Sequence, residues 1–214
     1  METPLPYPIP LLIAHAPKAE RNWHRLCWRI DDIMVRTALG AREGAVAAIR
    51  LAWWEEALTA VDAPPPADPL LIQWRACDPD ADARAAVEAI AGAWRMLLDP
   101  APMSAADWQA FAEGRGALFA MIARQAGNEA LARAGAVWAL WDAARRDPNR
   151  QRAQGAFTAA GAQEVAGLRP ATIRPKPLGL ATAMALDDIK AGCLPDGRFT
   201  PGQYLRLLRR TLFS

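Results

Sequence analysis

Histidine and tyrosine each occur only twice in the 214 residues, and cysteine three times. These scarcities exclude whole classes of chemistry. His15 and His24 stand at no spacing that makes a zinc site or a Ser/His pair. Cys27, Cys77 and Cys193 are odd in number and far apart, so neither a C-x-x-C redox pair nor a disulfide framework is expected, and a reducing cytosol fits them best. Valine and isoleucine are sparse, and no run alternates apolar and polar residues for long enough to make strands. No segment approaches about 18 uninterrupted apolar residues, which argues against a transmembrane span. The apolar stretch from Pro4 to Ala14 has no basic leader and carries Pro4, Pro6, Pro8 and Pro10, which break the helix a signal peptide needs. An excess of one charge is also lacking. A formal net charge of +2 is too small to argue for nucleic acid, so no nucleic-acid partner is expected.

What remains is 52% apolar and 22% charged, rich in alanine, and long enough to bury one core. The expectation is an all-α, single-domain helical bundle of about eight helices over residues 1–214, with residues 1–16 as a proline-rich leading segment. The expected location is cytoplasmic, with peripheral contact to the inner membrane left open. One helix should run from about Pro17 to Leu39 with Trp23, Leu26, Cys27, Ile30, Ile33 and Met34 inward, and a second from Glu43 to Val61. The triple proline at 64–66 ends the second, and Leu70 to Ala76 makes a short piece. Asp78 to Asp82 open a helix to about Leu98. The capping box Ser104/Asp107 opens another to about Ala126, closed by Gly127. Further helices are expected over Glu129 to Arg146, Asn149 to Ala166, Leu178 to Lys190, and from Thr200 and Pro201, as N-cap and N1, through Leu212. Most of the nine tryptophans fall in helical stripes, where core packing explains them. The last helix sets Leu205, Leu208 and Leu212 against Arg206, Arg209 and Arg210, a pattern suited to closing a domain or to docking on an anionic membrane.

Three charged positions stand out. At about 100° per residue, Arg50 falls between the stripes Ala47-Leu51-Trp54-Leu58-Val61 and Val46-Ile49-Trp53-Ala57-Ala60, where a guanidinium would require an anion. Arg115 projects from the stripe Trp108, Phe111, Leu118, Phe119 and Ile122, flanked by Gly114 and Gly116, which remove side chains where another backbone or a ligand could come close. Asp31 lies at the edge of a core stripe, with Arg50 as its expected partner unless it holds a metal or ligand. Asp32 sits among arginines, with Arg29 and Arg36 at ion-pair spacing. Asp142 has Arg146 four residues on, and Asp187-Asp188 reads as a helix-face charge pair.

The phrase Leu26-Cys27-Trp28-Arg29-Ile30-Asp31-Asp32, followed by Arg50-Leu51-Ala52-Trp53-Trp54, resembles the squalene and phytoene synthase family of the trans-isoprenyl diphosphate synthases. The looser match of Phe111-Ala112-Glu113-Gly114-Arg115-Gly116-Ala117 and the tail from Arg174 to Arg209 resemble short bacterial members. The resemblance implies an isoprenoid synthase fold, a prenyl diphosphate substrate, and Mg²⁺ held by acidic motifs that stabilise the departing pyrophosphate. Carried over, Asp31 and Asp32 would be the catalytic and metal-binding acids, and Arg50, Arg115, Trp54 and Phe111 the substrate-binding residues. The pattern is incomplete. Val35 and Arg36 stand where the first motif's later acids belong, and the second motif retains only Asp142 and Asp147, wrongly spaced.

Three readings follow. The first is a Mg²⁺-dependent transferase joining farnesyl or geranylgeranyl diphosphates head to head. The second is a divergent relative without synthase activity, either a binder of prenyl lipid or a protein resembling the respiratory complex I assembly factors that keep the fold and lose the acids. The third is an all-α interaction module whose arginines are satisfied by carboxylates. If Arg50 and Arg115 share an apolar cavity with Asp31 at its mouth, ligand binding gains; if each meets a carboxylate in a closed core, the structural reading does.

Overall fold

Local capping chemistry decides where at least half of the helices begin. In a computed structural model of the chain, which describes residues 4–62, 64–163, 165, 167–195 and 197–212, Asp68, Asp80, Ser104, Asn128 and Asn149 each accept a backbone N–H of the first turn that follows. Such a side-chain oxygen satisfies a donor that has no partner within the helix. The described residues form ten α-helices: α1 (Ile9–Ala14), α2 (Arg21–Leu39), α3 (Gly44–Thr59), α4 (Pro69–Ala76), α5 (Ala81–Met96), α6 (Ala105–Ala123), α7 (Glu129–Arg146), α8 (Arg150–Ala162), α9 (Lys176–Ala191) and α10 (Pro201–Leu212), with a 3₁₀ turn at Pro170–Thr172 before α9. No strand occurs among the described residues. The all-α bundle expected from composition is therefore present.

Helix α6 runs through the middle, packed between α5 and α7, with α2 lying across α5 and α6. Outside this group α3 packs on α2 and α5, α8 and α9 on α7, and α10 on α9. One hydrophobic core links them, and Trp28, Trp74, Trp94, Trp138 and Trp141 are fully buried in it. These indoles bury polar N–H groups as well as apolar area, and several find acceptors. Trp74 Nε1 donates to the Leu58 carbonyl (2.7 Å), tying α4 to α3, and Trp23 Nε1 donates to the carbonyls of Met121 and Ile122 at the end of α6.

The glycines of α6 do what their positions suggest. A Cβ on Gly116 would stand 2.7 Å from the Ala136 nitrogen, one on Gly135 of α7 would stand 2.2 Å from the Gly116 carbonyl oxygen, and one on Gly114 would stand 2.8 Å from the Ala89 carbonyl oxygen of α5. The obstacles are backbone atoms, which cannot swing aside. Three helices thus approach to backbone contact around residue 115, which sets how far a side chain there must reach.

Five local expectations are corrected. The proline-rich start does form a helix, α1, because Pro10 falls in its first turn, where a missing N–H breaks no intrahelical bond. Helix α2 starts at Arg21 rather than Pro17, and α9 starts at Lys176, with Pro177 again in the first turn. Helix α8 ends at Ala162, and Ala166, the expected end, lies outside the described residues. The largest difference is α3. Only Ala47, Leu51, Ala57 and Leu58 are buried there, while Val46, Ile49 and Trp53 are exposed and Arg50 faces solvent. Val46, Ile49 and Trp53 of the second stripe stand open to solvent, with Ala57 of it buried, so Arg50 is hydrated and needs no buried anion.

Replacing Gly135 by Ala should lower folding stability by about 2 kcal/mol or more, since the intrinsic gain of alanine in a helix is smaller than the cost of forcing two backbones apart. Gly161→Ala, in a helix with nothing within 4 Å of the added carbon, should instead stabilise by about 0.5 kcal/mol. Urea unfolding of the two variants checks the opposite signs.

Candidate functional site

The arginine that interrupts the apolar stripe of α6 is the centre of the buried polar structure. Arg115 is 0% exposed, as is Asp31 of α2, and Asp142 of α7 is 1% exposed. The Arg115 guanidinium forks onto Asp31, with Nε donating to Oδ1 (3.1 Å) and Nη2 to Oδ2 (2.8 Å). Nη2 also donates to Asp142 Oδ2 (2.5 Å), and Nη1 donates to the Ala139 carbonyl (2.8 Å). Its central carbon lies over the rings of Trp94, 4.5 Å from the centroid, and Trp138, 4.6 Å from it. Trp94 Nε1 adds a bond to Asp31 Oδ1 (3.2 Å). Two carboxylates, a carbonyl and two indole faces together meet what a buried guanidinium demands of its surroundings.

The charges continue outward from this centre. Asp142 Oδ1 accepts from Arg145 (3.1 Å), whose Nη1 donates to the Tyr7 carbonyl (2.9 Å). Arg146 lies 3.9 Å from Asp142 Oδ2 and donates to Asp32 Oδ1 (2.5 Å), and Asp32 Oδ2 pairs with Arg36 (2.9 Å) at the surface. The resulting chain, Asp31–Arg115–Asp142–Arg146–Asp32–Arg36, alternates in sign from the core to solvent.

The predicted site residues divide accordingly. Asp31, Arg115 and Phe111 come together: Phe111 is buried edge-on against Trp94, with ring centroids 5.4 Å apart. Asp32 lies on another side of α2, with Arg36 as expected and Arg146 in addition. Asp31 pairs with Arg115 and not with Arg50, which stands in solvent on α3. Trp54, on the same helix as Arg50, is half-buried and packs edge-on to Trp53. Of the two outcomes set out for the arginines, Arg115 meets carboxylates in a closed core. Asp142 was expected to pair locally with Arg146, but its shortest contact is Arg115, 27 residues away. Trp94, Trp138 and Arg145 were not anticipated as part of the cluster. A signal existed for one of them, since Trp138 precedes Asp142 by four residues and so shares its helix face.

The Mg²⁺ implied by the resemblance does not fit this donor set. Both oxygens of Asp31 already accept from Arg115, and both oxygens of Asp32 face guanidinium groups, Arg146 and Arg36. Adjacent residues also diverge by about 100° around a helix, so the two carboxylates do not converge on one point. Among the described residues, no group of three or more His, Cys, Asp or Glu side chains could hold a metal ion.

Burial alone would raise the Asp142 carboxyl, but Arg115 and then Arg145 and Arg146 outweigh it and lower its pKa from 3.8 to about 2. Arg115 is opposed in the same way by burial, and the two aspartates hold it above its usual range. No family model, no curated protein and no solved structure matches the chain.

Because the folded-state pKa of Asp142 lies below its unfolded value, the stabilisation is fully present above about pH 4 and is lost as pH falls toward 2. The contribution is on the order of 2 kcal/mol. Asp142→Asn should be less stable than the parent at pH 7, and the difference should narrow over that acid window. Denaturant titrations at a series of pH values measure both.

Proposed function

We propose that the chain is a divergent relative of the squalene and phytoene synthases that no longer transfers prenyl groups and acts as a non-catalytic interaction protein, in the manner of the complex I assembly factors it resembles. The observation that carries this reading is the buried guanidinium of Arg115. A prenyl transferase needs carboxylates turned toward a chamber that admits a diphosphate and its Mg²⁺ ions. Here Asp31 and Asp142 face each other across the bundle with a protein cation between them. Asp31, Arg115 and Trp94 are each 0% exposed, so not even a water-sized void borders them. A diphosphate would have to displace a cation already held by two carboxylates, a carbonyl and two ring faces.

Function is then left to the surface. The exposed apolar side chains of α3, with Ile49 71% exposed, are consistent with a protein that works by contact. The test is enzymatic. Incubation with farnesyl or geranylgeranyl diphosphate and Mg²⁺ should release no pyrophosphate above a boiled control. Asp31→Asn should lower folding stability by about 3–5 kcal/mol, as removal of one partner from a buried ion pair does, while leaving that background unchanged. Pyrophosphate release by the parent that Asp31→Asn abolishes would establish the transferase instead.

A further inference from the structure

The terminal helix presents an apolar face to solvent, away from the body of the protein. Gln203 and Leu207 are its buried residues, 7% and 3% exposed, and they face α9. At about 100° per residue, Tyr204, Leu205 and Leu208 form a stripe centred roughly a third of a turn away. These three are 46%, 63% and 42% exposed. The helix is held in this rotation by side chains on its other flank: Gln203 and Arg206 donate to Asp188 (3.1 and 3.0 Å), and Arg210 donates to Asp187 (2.7 Å). The same Asp188 accepts from Trp141 of the core (3.1 Å). The apolar stripe therefore cannot turn inward without breaking bonds that reach the centre of the bundle.

Two features adjoin the stripe. At its start, Tyr204 and Tyr7 line one cleft with Phe199, and Tyr7 stacks on Phe199 with centroids 6.0 Å apart. Tyr7 is 56% exposed, so both tyrosines of the chain stand in this one exposed patch. On the flank of the helix that carries Arg206 and Arg210 runs a cleft of about 610 Å³, lined on its apolar side by Ile173, Leu180 and Ala183. Its rim carries Arg174, Lys176 and Arg209, while Arg206 and Arg210 there are paired with Asp188 and Asp187. A partner for this surface must accept exposed leucines and tyrosines and must carry negative charge beside them.

We propose that this face docks on an anionic phospholipid bilayer, with Tyr204, Leu205 and Leu208 entering the boundary between head groups and acyl chains and the arginine rim meeting lipid phosphates. Leucine and arginine on adjoining sides of one helix suit that boundary, and tyrosine is enriched there because its ring is apolar and its hydroxyl polar. The helix lies on the surface: no helix among the described residues is long and apolar enough to cross a membrane. This inference stands apart from the loss of prenyl transfer, since no residue of the Arg115 cluster takes part.

Co-sedimentation of the full chain with vesicles tests it. Vesicles containing about one-third phosphatidylglycerol should pellet the protein at low salt, and pure phosphatidylcholine should do so at least tenfold less well, because each basic side chain near an anionic surface adds about fivefold to the affinity. High salt should weaken the anionic binding. Leu205→Glu/Leu208→Glu should abolish sedimentation while keeping the helical circular dichroism and melting temperature of the parent, since both side chains are exposed. Arg209→Gln, a milder change, should reduce binding to anionic vesicles about fivefold. Equal binding to neutral and anionic vesicles overturns the proposal, and so does unchanged sedimentation of the double-glutamate variant. Failure to bind vesicles, together with a concentration-dependent dimer that the double-glutamate variant disperses, assigns the face to a second copy of the chain and overturns it too.

Discussion

A single guanidinium, placed where no water reaches, sets the terms for the packing around it. Left unpaired, a charge in that position would be unaffordable in a domain whose net stability is only about 5–15 kcal/mol. Arg115 is tolerated because α2 supplies Asp31, α7 supplies Asp142 and the Ala139 carbonyl, and α5 supplies the ring of Trp94. The fork of an arginine is rigid, and it meets Asp31 through two donors at once, so a shift of α2 or α7 by one residue along its axis would break bonds that nothing else in the core could replace. The glycine contacts at 114, 116 and 135 belong to the same constraint: they let α5 and α7 close on α6 until the carboxylate, the carbonyl and the indoles all fall within reach.

That constraint bears directly on chemistry. Carboxylates serve a metal or a substrate when their lone pairs point at open space, and those of Asp31 and Asp142 point at a cation that belongs to the fold. A catalytic site built there would have to give up the ion pairs that hold three helices in register. The outer surface is under no such restriction. The exposed side chains of α3 and the exposed Tyr204, Leu205 and Leu208 of α10 can change without disturbing the core, which makes them the parts of the molecule where contact with other bodies can be specified.

Much of the helical order was legible because its signals are local. Ser104 with Asp107, Asn149, and Thr200 with Pro201 mark helix starts within a turn of the residues they affect, and Gly114-Arg115-Gly116 announced both a close approach and an interior charge. The Arg50 environment was illegible for a reason that periodicity cannot remove. A repeat of 3.6 residues tells which side chains share a face but not whether another helix covers that face, and α3 lies where Val46, Ile49 and Trp53 have no cover. Arg50 and Arg115 look alike in sequence, each an arginine within an apolar pattern; only tertiary position makes one hydrated and the other enclosed. The Asp142 pairing was legible only in part: Arg146 is a partner at 3.9 Å but not the nearest one. Arg146 at i+4 was the visible partner, whereas Arg115 is brought close only by the crossing of α6 and α7.

The arrangement of charge in the cluster has its own logic. Counting the members that are largely buried, Asp31, Asp32 and Asp142 face Arg115, Arg145 and Arg146, so the enclosed set is neutral. The additional positive charge, Arg36, sits at the outer end with nearly half of its side chain in water. Neutrality inside and surplus outside is the distribution that desolvation favours, because each buried charge then has a counter-charge at contact distance and only a hydrated group is in excess. Half of the pairs, the shortest among them, are between helices: Arg115 joins α6 to α2 and α7, and Arg146 joins α7 to α2. A pair within one helix steadies that helix alone, whereas a pair between helices is lost as soon as they part. Disturbing one contact in this cluster therefore exposes or unpairs the next, which couples the separation of α2, α6 and α7 into one event.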